Sequence, residues 1–152
     1  MTLQWIVAFS HLLALGIGMG AVWARGRALR GPLDDAGLKN VFYFDNWYGI
    51  AALIWIVTGV WRAFGGLEKG TDYYLHSRSF LIKMVIYLLL AALETWPMIV
   101  LIKWRMRLEK GLAIDTGKAK LFARFSEIET FGLTCMVLAA TSMSRGIGFM
   151  GQ

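Results

Sequence analysis

Residues 3–24 read LQWIVAFSHLLALGIGMGAVWA, and residues 25–30 that follow, RGRALR, hold three arginines. His11 is the only ionisable side chain in the first stretch. A helix of about 20 apolar residues, rising 1.5 Å per residue, matches the ~30 Å hydrocarbon core of a bilayer. Three further apolar runs repeat the pattern, at about Asn46 to Phe64, Ser79 to Ile102 and Phe125 to Phe149. The 152-residue chain is 57% apolar and 17% charged, with a mean hydropathy of +0.54. Soluble domains are roughly 45–50% apolar and about 25% charged. A soluble domain of this size has no interior large enough for so much apolar surface. The reading predicts an all-α polytopic membrane protein, with one domain over residues 1–152 and four transmembrane helices in a bundle.

Composition removes several function classes. One cysteine, Cys135, leaves no intramolecular disulfide and no Cys-rich zinc or iron–sulfur site. Two histidines, His11 and His76, limit an all-histidine metal site to two ligands. Glycine-rich phosphate loops, HExxH and GxSxG are absent. The net charge of +6 lies between the apolar runs, where it reads as topology rather than as a nucleic-acid surface. The loops after the first and third runs carry 11 of the 16 basic residues. The positive-inside rule then places those loops in the cytoplasm and both termini outside. The first run has its arginines after the apolar stretch, not before it, and so reads as a retained helix instead of a signal peptide. Trp5, Trp23, Trp47, Tyr48, Trp61, Tyr73, Tyr74 and Trp104 are candidate interfacial anchors.

Helical spacing gives each run one polar or small stripe. These are His11, Ala14, Gly18, Ala21 and Arg25, flanked by Gly16 and Gly20; Asp45, Tyr48, Ala52, Trp55, Gly59 and Arg62; His76, Phe80, Lys83, Tyr87, Leu90 and Glu94; and Glu127, Thr130, Thr134, Leu138, Thr141 and Arg145. Burying the four stripes together would leave Leu, Ile, Val and Trp facing lipid. His11 lies about eight residues into its helix and Lys83 about four, a depth difference of ~6 Å at 1.5 Å per residue. Each polar group has a plain and a functional reading. His11 is a helix-packing hydrogen bonder, an iron ligand or a proton relay. Lys83 snorkels to the interface or belongs to a site. Glu94 and Glu127 pair with Lys103 and Arg124, or form a second polar layer on the cytoplasmic side. The run Gly16-x-Gly18-x-Gly20 suits a close helix contact. Small residues around His11 suit a flat cofactor, and Arg62, Arg78 and Arg145 at the outer rim suit its carboxylates.

Residues 5–29, WIVAFSHLLALGIGMGAVWARGRAL, and residues 77–90, SRSFLIKMVIYLLL, carry a resemblance to a family of small bacterial four-helix membrane proteins of unassigned activity. More distantly, the same stretches are similar to the haem-b membrane protoporphyrinogen oxidases of bacteria. The resemblance implies residence in the bacterial inner membrane, haem b on His11 and a site role for Lys83. The neighbours of Lys83 depart from the oxidase pattern: Phe80, Leu81 and Ile82 precede it, and no histidine follows His76.

Three functions follow as expectations. The first is a haem-b membrane redox protein, with His11 as metal ligand, Lys83 or a methionine opposite or the sixth position open, and Arg62, Arg78 and Arg145 at the propionates. As an enzyme it would oxidise a tetrapyrrole or a quinol. The second is a proton- or ion-handling transporter that uses His11, Lys83, Glu94 and Glu127, with a homo-oligomer supplying a path. The third is a structural or assembly protein whose stripes specify packing alone.

Overall fold

The computed structural model describes residues 2–66 and 76–145, with residues 143 and 144 described by their backbone alone. The helices among these residues are α1 (Thr2–Ala28), α2 (Asp35–Phe64), α3 (Arg78–Glu109) and α4 (Ala119–Ser144). They are 27, 30, 32 and 26 residues long. At 1.5 Å per residue, each exceeds the ~30 Å apolar layer, so their ends must project beyond it. The chain is all-helical, and α1, α2 and α3 are long and apolar enough to cross a membrane.

The fourth predicted span is corrected on this point. Among the described residues, α4 is long enough to span but not apolar enough to count as a membrane-crossing helix. It carries Glu127, Glu129 and several hydroxyl side chains within its apolar run. Residues 146–149 of the predicted span lie outside the described residues.

Two helices also begin earlier than their apolar runs. Asp34 caps α2 by accepting a hydrogen bond from the Gly37 amide at 2.8 Å, an ordinary N-terminal stop for a helix. From there Leu38 and Val41 are buried, four residues short of Asp45. They join Leu29, Leu101, Trp104, Ala119, Phe122 and Ala123 in a compact core at the arginine-rich end. Trp104 is 4% exposed in that core, which corrects its reading as an interfacial anchor. Trp5, Trp23, Trp47 and Trp61 are exposed as expected of anchors, Tyr48 is half-buried, and Tyr73 and Tyr74 lie outside the described residues.

The helices form an open ring. α1 packs on α2 and on α4, α3 packs on α4, and α2 and α3 scarcely meet. Gly26 sets the α1–α4 approach, because a Cβ there would lie 3.0 Å from Ser126 Cβ. The seam between α2 and α3 opens into a cavity of about 370 Å³. Leu12, Leu53, Leu88, Leu89, Phe131 and Leu138 are all more than half exposed. Apolar side chains outside and polar ones inside is the arrangement of a protein dissolved in lipid.

Candidate functional site

The first stripe predicted from the sequence is the buried face of α1: His11, Ala14, Gly18, Ala21 and Arg25. Gly16 and Gly20 are exposed, and neither would meet anything with an added Cβ, so the close contact falls to Gly18 alone, against Ala51.

Arg25 is fully buried and donates all five of its N–H groups. Nε reaches Ser126 Oγ at 3.2 Å. Nη1 reaches Asp45 Oδ1 at 2.9 Å and Glu94 Oε1 at 2.6 Å, and Nη2 reaches Glu94 Oε2 at 2.7 Å and Glu129 Oε2 at 2.8 Å. A guanidinium has no further donor to give. The fork on Glu94 is bidentate, the strongest geometry for this pair. Tyr48 lies against the cation, with its ring centroid 5.0 Å from Cζ. One side chain of α1 thus ties α2, α3 and α4 together.

Charge in this hub does not balance. Three carboxylates meet one guanidinium, and Arg105, 4.0 Å from Asp45 Oδ2, supplies a second cation. Glu129 is fully buried, and its Oε1 has no partner. A buried, unpaired charge is costly enough that such groups usually neutralise.

Glu94 therefore pairs with Arg25, not with Lys103. Glu127 pairs with Arg30 at 2.6 Å, not with Arg124, and both partners are half exposed, so the pair contributes ~0–1 kcal/mol. Glu127 is no part of a polar interior. The buried face of α4 is Phe122, Ser126, Glu129, Leu133 and Met136, a face away from the predicted Glu127, Thr130, Thr134, Leu138 and Thr141. The threonines misled because they satisfy themselves: Thr130, Thr134 and Thr141 donate to the carbonyls of Ser126, Thr130 and Leu138. A hydroxyl bonded to its own helix can face lipid. Glu129 and Ser126 were missed for that reason. The spacing 122, 126, 129, 133, 136 is the signal that would have found them.

Toward the other end of the bundle, His11 Nδ1 lies 2.9 Å from Thr58 Oγ1 and 3.1 Å from the Trp55 carbonyl. Thr58 donates its own hydroxyl proton to the Ile54 carbonyl at 2.7 Å, and the Trp55 carbonyl can only accept, so Nδ1–H is the donor in both contacts. The imidazole stacks on Trp55, centroids 5.1 Å apart, and would lie 3.1 Å from a Cβ at Gly59. Lys83 Nζ stands 5.2 Å from the centroid of the same indole. The structure thus brings His11 and Lys83 together at Trp55, beside a space of about 80 Å³. Arg62 lies half-buried in the last turn of α2, and Arg78 and Arg145 are exposed at the start of α3 and just past α4. None of the three lines either described cavity.

Haem b at His11 requires a ligating nitrogen and a slot for a flat ring. The Nδ1 hydrogen bonds orient the imidazole as a ligand is oriented. The slot is not formed in this arrangement: about 80 Å³ falls well below the ~300–1,000 Å³ of pockets that take cofactors and other small molecules. Trp55 covers the ring face. Among the described residues, no group of three or more His, Cys, Asp or Glu side chains could hold a metal ion.

Fold and site together define an all-α integral membrane protein with a charged hub buried among its helices. The chain belongs to the family described as "Predicted membrane protein (DUF2214)", whose model matches residues 3–148. That match carries the expectation of a membrane-protein family and does not extend to the haem-b oxidases. Neither the comparison with curated proteins nor that with solved structures returned a match.

Proposed function

We propose that this protein handles protons within the bilayer, with the Arg25 hub holding one exchangeable proton between Glu94 and Glu129. The observation that carries the reading is the meeting of three carboxylates on one buried guanidinium, with Glu129 Oε1 unpartnered. Arg105 offsets one of the two excess negative charges, and a proton offsets the other. Both carboxylates bond the same nitrogen, Arg25 Nη2, so a proton passing between them moves a short way. Asp45 and Glu94 also line the large cavity, which shares Trp55, Ile56 and Tyr87 with the small space beside His11 and Lys83. The two polar ends of the bundle are linked through those shared walls. In this reading α4 joins the other helices in the membrane of a bacterial cell. The hub lies on the side of the arginine-rich loops and both termini lie outside.

Infrared spectroscopy of the reconstituted protein at neutral pH tests the reading. A protonated-carboxyl band that shifts in heavy water and disappears in Glu129→Gln is the expected result. A spectrum of ionised carboxylates alone would remove the proton from the hub. Proton flux into proteoliposomes, lowered in Glu94→Gln and Lys83→Ala, would extend the reading to transport.

One observation favours the haem-b redox reading, with a quinol or tetrapyrrole as substrate. The Nδ1–H bond from His11 to the Trp55 carbonyl is the outer hydrogen bond that fixes a ligating imidazole. That reading needs Trp55 to leave the stack. An optical spectrum of protein made with a haem precursor decides it: a Soret band lost in His11→Ala supports the reading, and no band ends it.

A further inference from the structure

The larger of the two described cavities lies on the seam where α2 and α3 scarcely meet. Its walls are apolar and aromatic, chiefly Ala52, Trp55, Tyr87 and Leu90, and its volume of about 370 Å³ is within the range of sites for small organic molecules. Leu53 and Ile56, on the same walls, are exposed on the outer face of α2, so the opening faces lipid. Polar groups gather where Asp45 and Glu94 enter the lining, beside Tyr48.

The charge of an occupant is set by the hub, and its apolar body by the cavity wall. The hub behind Asp45 and Glu94 has more carboxylates than cations, and Glu129 Oε1 within it is buried without a partner. On the cavity wall, Trp55 already carries the stacked His11 imidazole and the Lys83 ammonium at 5.2 Å, so it offers an occupant an apolar wall. Lys83 also puts positive charge at the far end, steering a second cation toward the carboxylates.

We propose that the α2–α3 cleft binds an amphipathic organic cation taken from the bilayer, its charge beside Asp45 and Glu94 and its apolar body against Trp55, Tyr87 and Leu90. Its arrival supplies the positive charge that the hub lacks, so the proton shared by Glu94 and Glu129 is released as the cation binds. The proton release rests on the proton-handling reading, whereas the choice of a cation rests on the cleft and its charge.

The test uses two rigid probes of nearly equal size and opposite charge, tetraphenylphosphonium and tetraphenylborate. Each is titrated into the purified full-length protein, with tryptophan fluorescence reporting binding and a pH indicator in weakly buffered detergent reporting protons. The cation should bind more tightly than the anion by about tenfold or more. Ala52→Phe, which fills the cleft wall away from the hub, should weaken cation binding while leaving the infrared carboxyl band in place. Glu94→Gln should weaken it as well. Equal or reversed preference, as expected for partition of a lipid or detergent tail, overturns the proposal, and so does cation binding that Ala52→Phe leaves unchanged. If the carboxyl band is present and no cation binds, the substrate class falls and the proton reading stands. If the cation binds without proton release and the band is absent, the exchange falls with the proton reading.

Discussion

At the Arg25 end, eight buried apolar side chains close around the helix termini and a guanidinium spends every donor on three other helices. At the His11 end, Ala63 and Phe80 form a two-residue buried apolar cluster with Met84 against them, and Val7 is buried one turn before His11. His11 joins α1 to α2 through its Nδ1. The first region is built like the interior of a soluble bundle, where packing and paired charge specify one arrangement. The second is an aromatic contact beside unfilled space, the kind of region that opens at lower cost. Stability and uniqueness of the fold therefore concentrate at one end, and freedom to admit a molecule lies along the seam that runs from it.

The sharpest way to break this contrast is Arg25→Met. It leaves Glu129 fully buried, and Asp45 and Glu94 partly buried, without their common partner, and breaking a buried ion pair from one side costs about 3–5 kcal/mol. The variant should fail to accumulate as a monodisperse species in detergent, or should melt far below the wild type. Arg25→Lys keeps the charge and loses the fork, and should fall between the two. If Arg25→Met melts like the wild type, the hub does not organise the bundle.

Within the hub the three carboxylates are unequal. Glu94 takes two of the five hydrogen bonds, Glu129 one, and Glu129 Oε1 none. Glu94→Gln puts an amide N–H against one arm of the guanidinium and should cost about 1.5–3 kcal/mol, the range for hydrogen bonds to charged groups. Glu129→Gln should cost less, since Glu129 takes a single bond from Arg25 and a neutral amide resembles the protonated carboxyl that the proton-handling reading places there. Thermal unfolding of the two variants in the same detergent reads the order directly, and a reversed order would place the weight of the hub on α4 instead of α3.

What the sequence disclosed divides along the same line. The stripe on α1 was legible because small residues and one histidine stand out in an apolar run at helical spacing. Arg25 stood at the end of that stripe, yet its position among loop arginines made it look like a topology signal. Leu38, Val41, Phe122 and Trp104 were hidden differently. They lie on amphipathic extensions of α2, α3 and α4 beyond the apolar runs, where a window sensitive to hydropathy sees only charged loops. The α4 face is concealed because hydroxyls in an apolar run resemble interior groups, although a threonine can satisfy its hydroxyl on its own helix. The meeting of Asp45, Glu94 and Glu129 on one cation was beyond reach, since it depends on which helices adjoin around the ring.

At the His11 end the expected effects are smaller. His11→Ala removes the hydrogen bonds to Thr58 and Trp55 and the indole stack. Polar contacts between membrane helices average about 0.6 kcal/mol, with model peptides giving ~1–2, so the loss should be near 1 kcal/mol. Gly59→Ala tests the same contact from α2. The new Cβ would stand 3.1 Å from His11 Cε1, which the ring can accommodate by a small shift. A few tenths of a kcal/mol is the expected order for so slight a displacement (~0.5 kcal/mol at most). A drop in stability matching that of Arg25→Met would erase the distinction between the ends.

The smallest effect should come from Thr134→Val, and it discriminates between two faces of α4. Thr134 is exposed, and its hydroxyl donates to the Thr130 carbonyl at 2.9 Å. If that face meets lipid, replacing the hydroxyl with a methyl of similar shape removes one internal bond and adds apolar contact with acyl chains. The two changes oppose each other, and the net should lie within about 0.5 kcal/mol of zero. Ser126→Val, one face away, offers the opposing case: Ser126 is fully buried and accepts from Arg25 Nε at 3.2 Å, and Gly26 allows no extra bulk there. A neutral Thr134→Val beside a damaging Ser126→Val would fix the rotation of α4 in solution. The reverse result would turn the helix so that Glu129 faces lipid, and the hub could not exist.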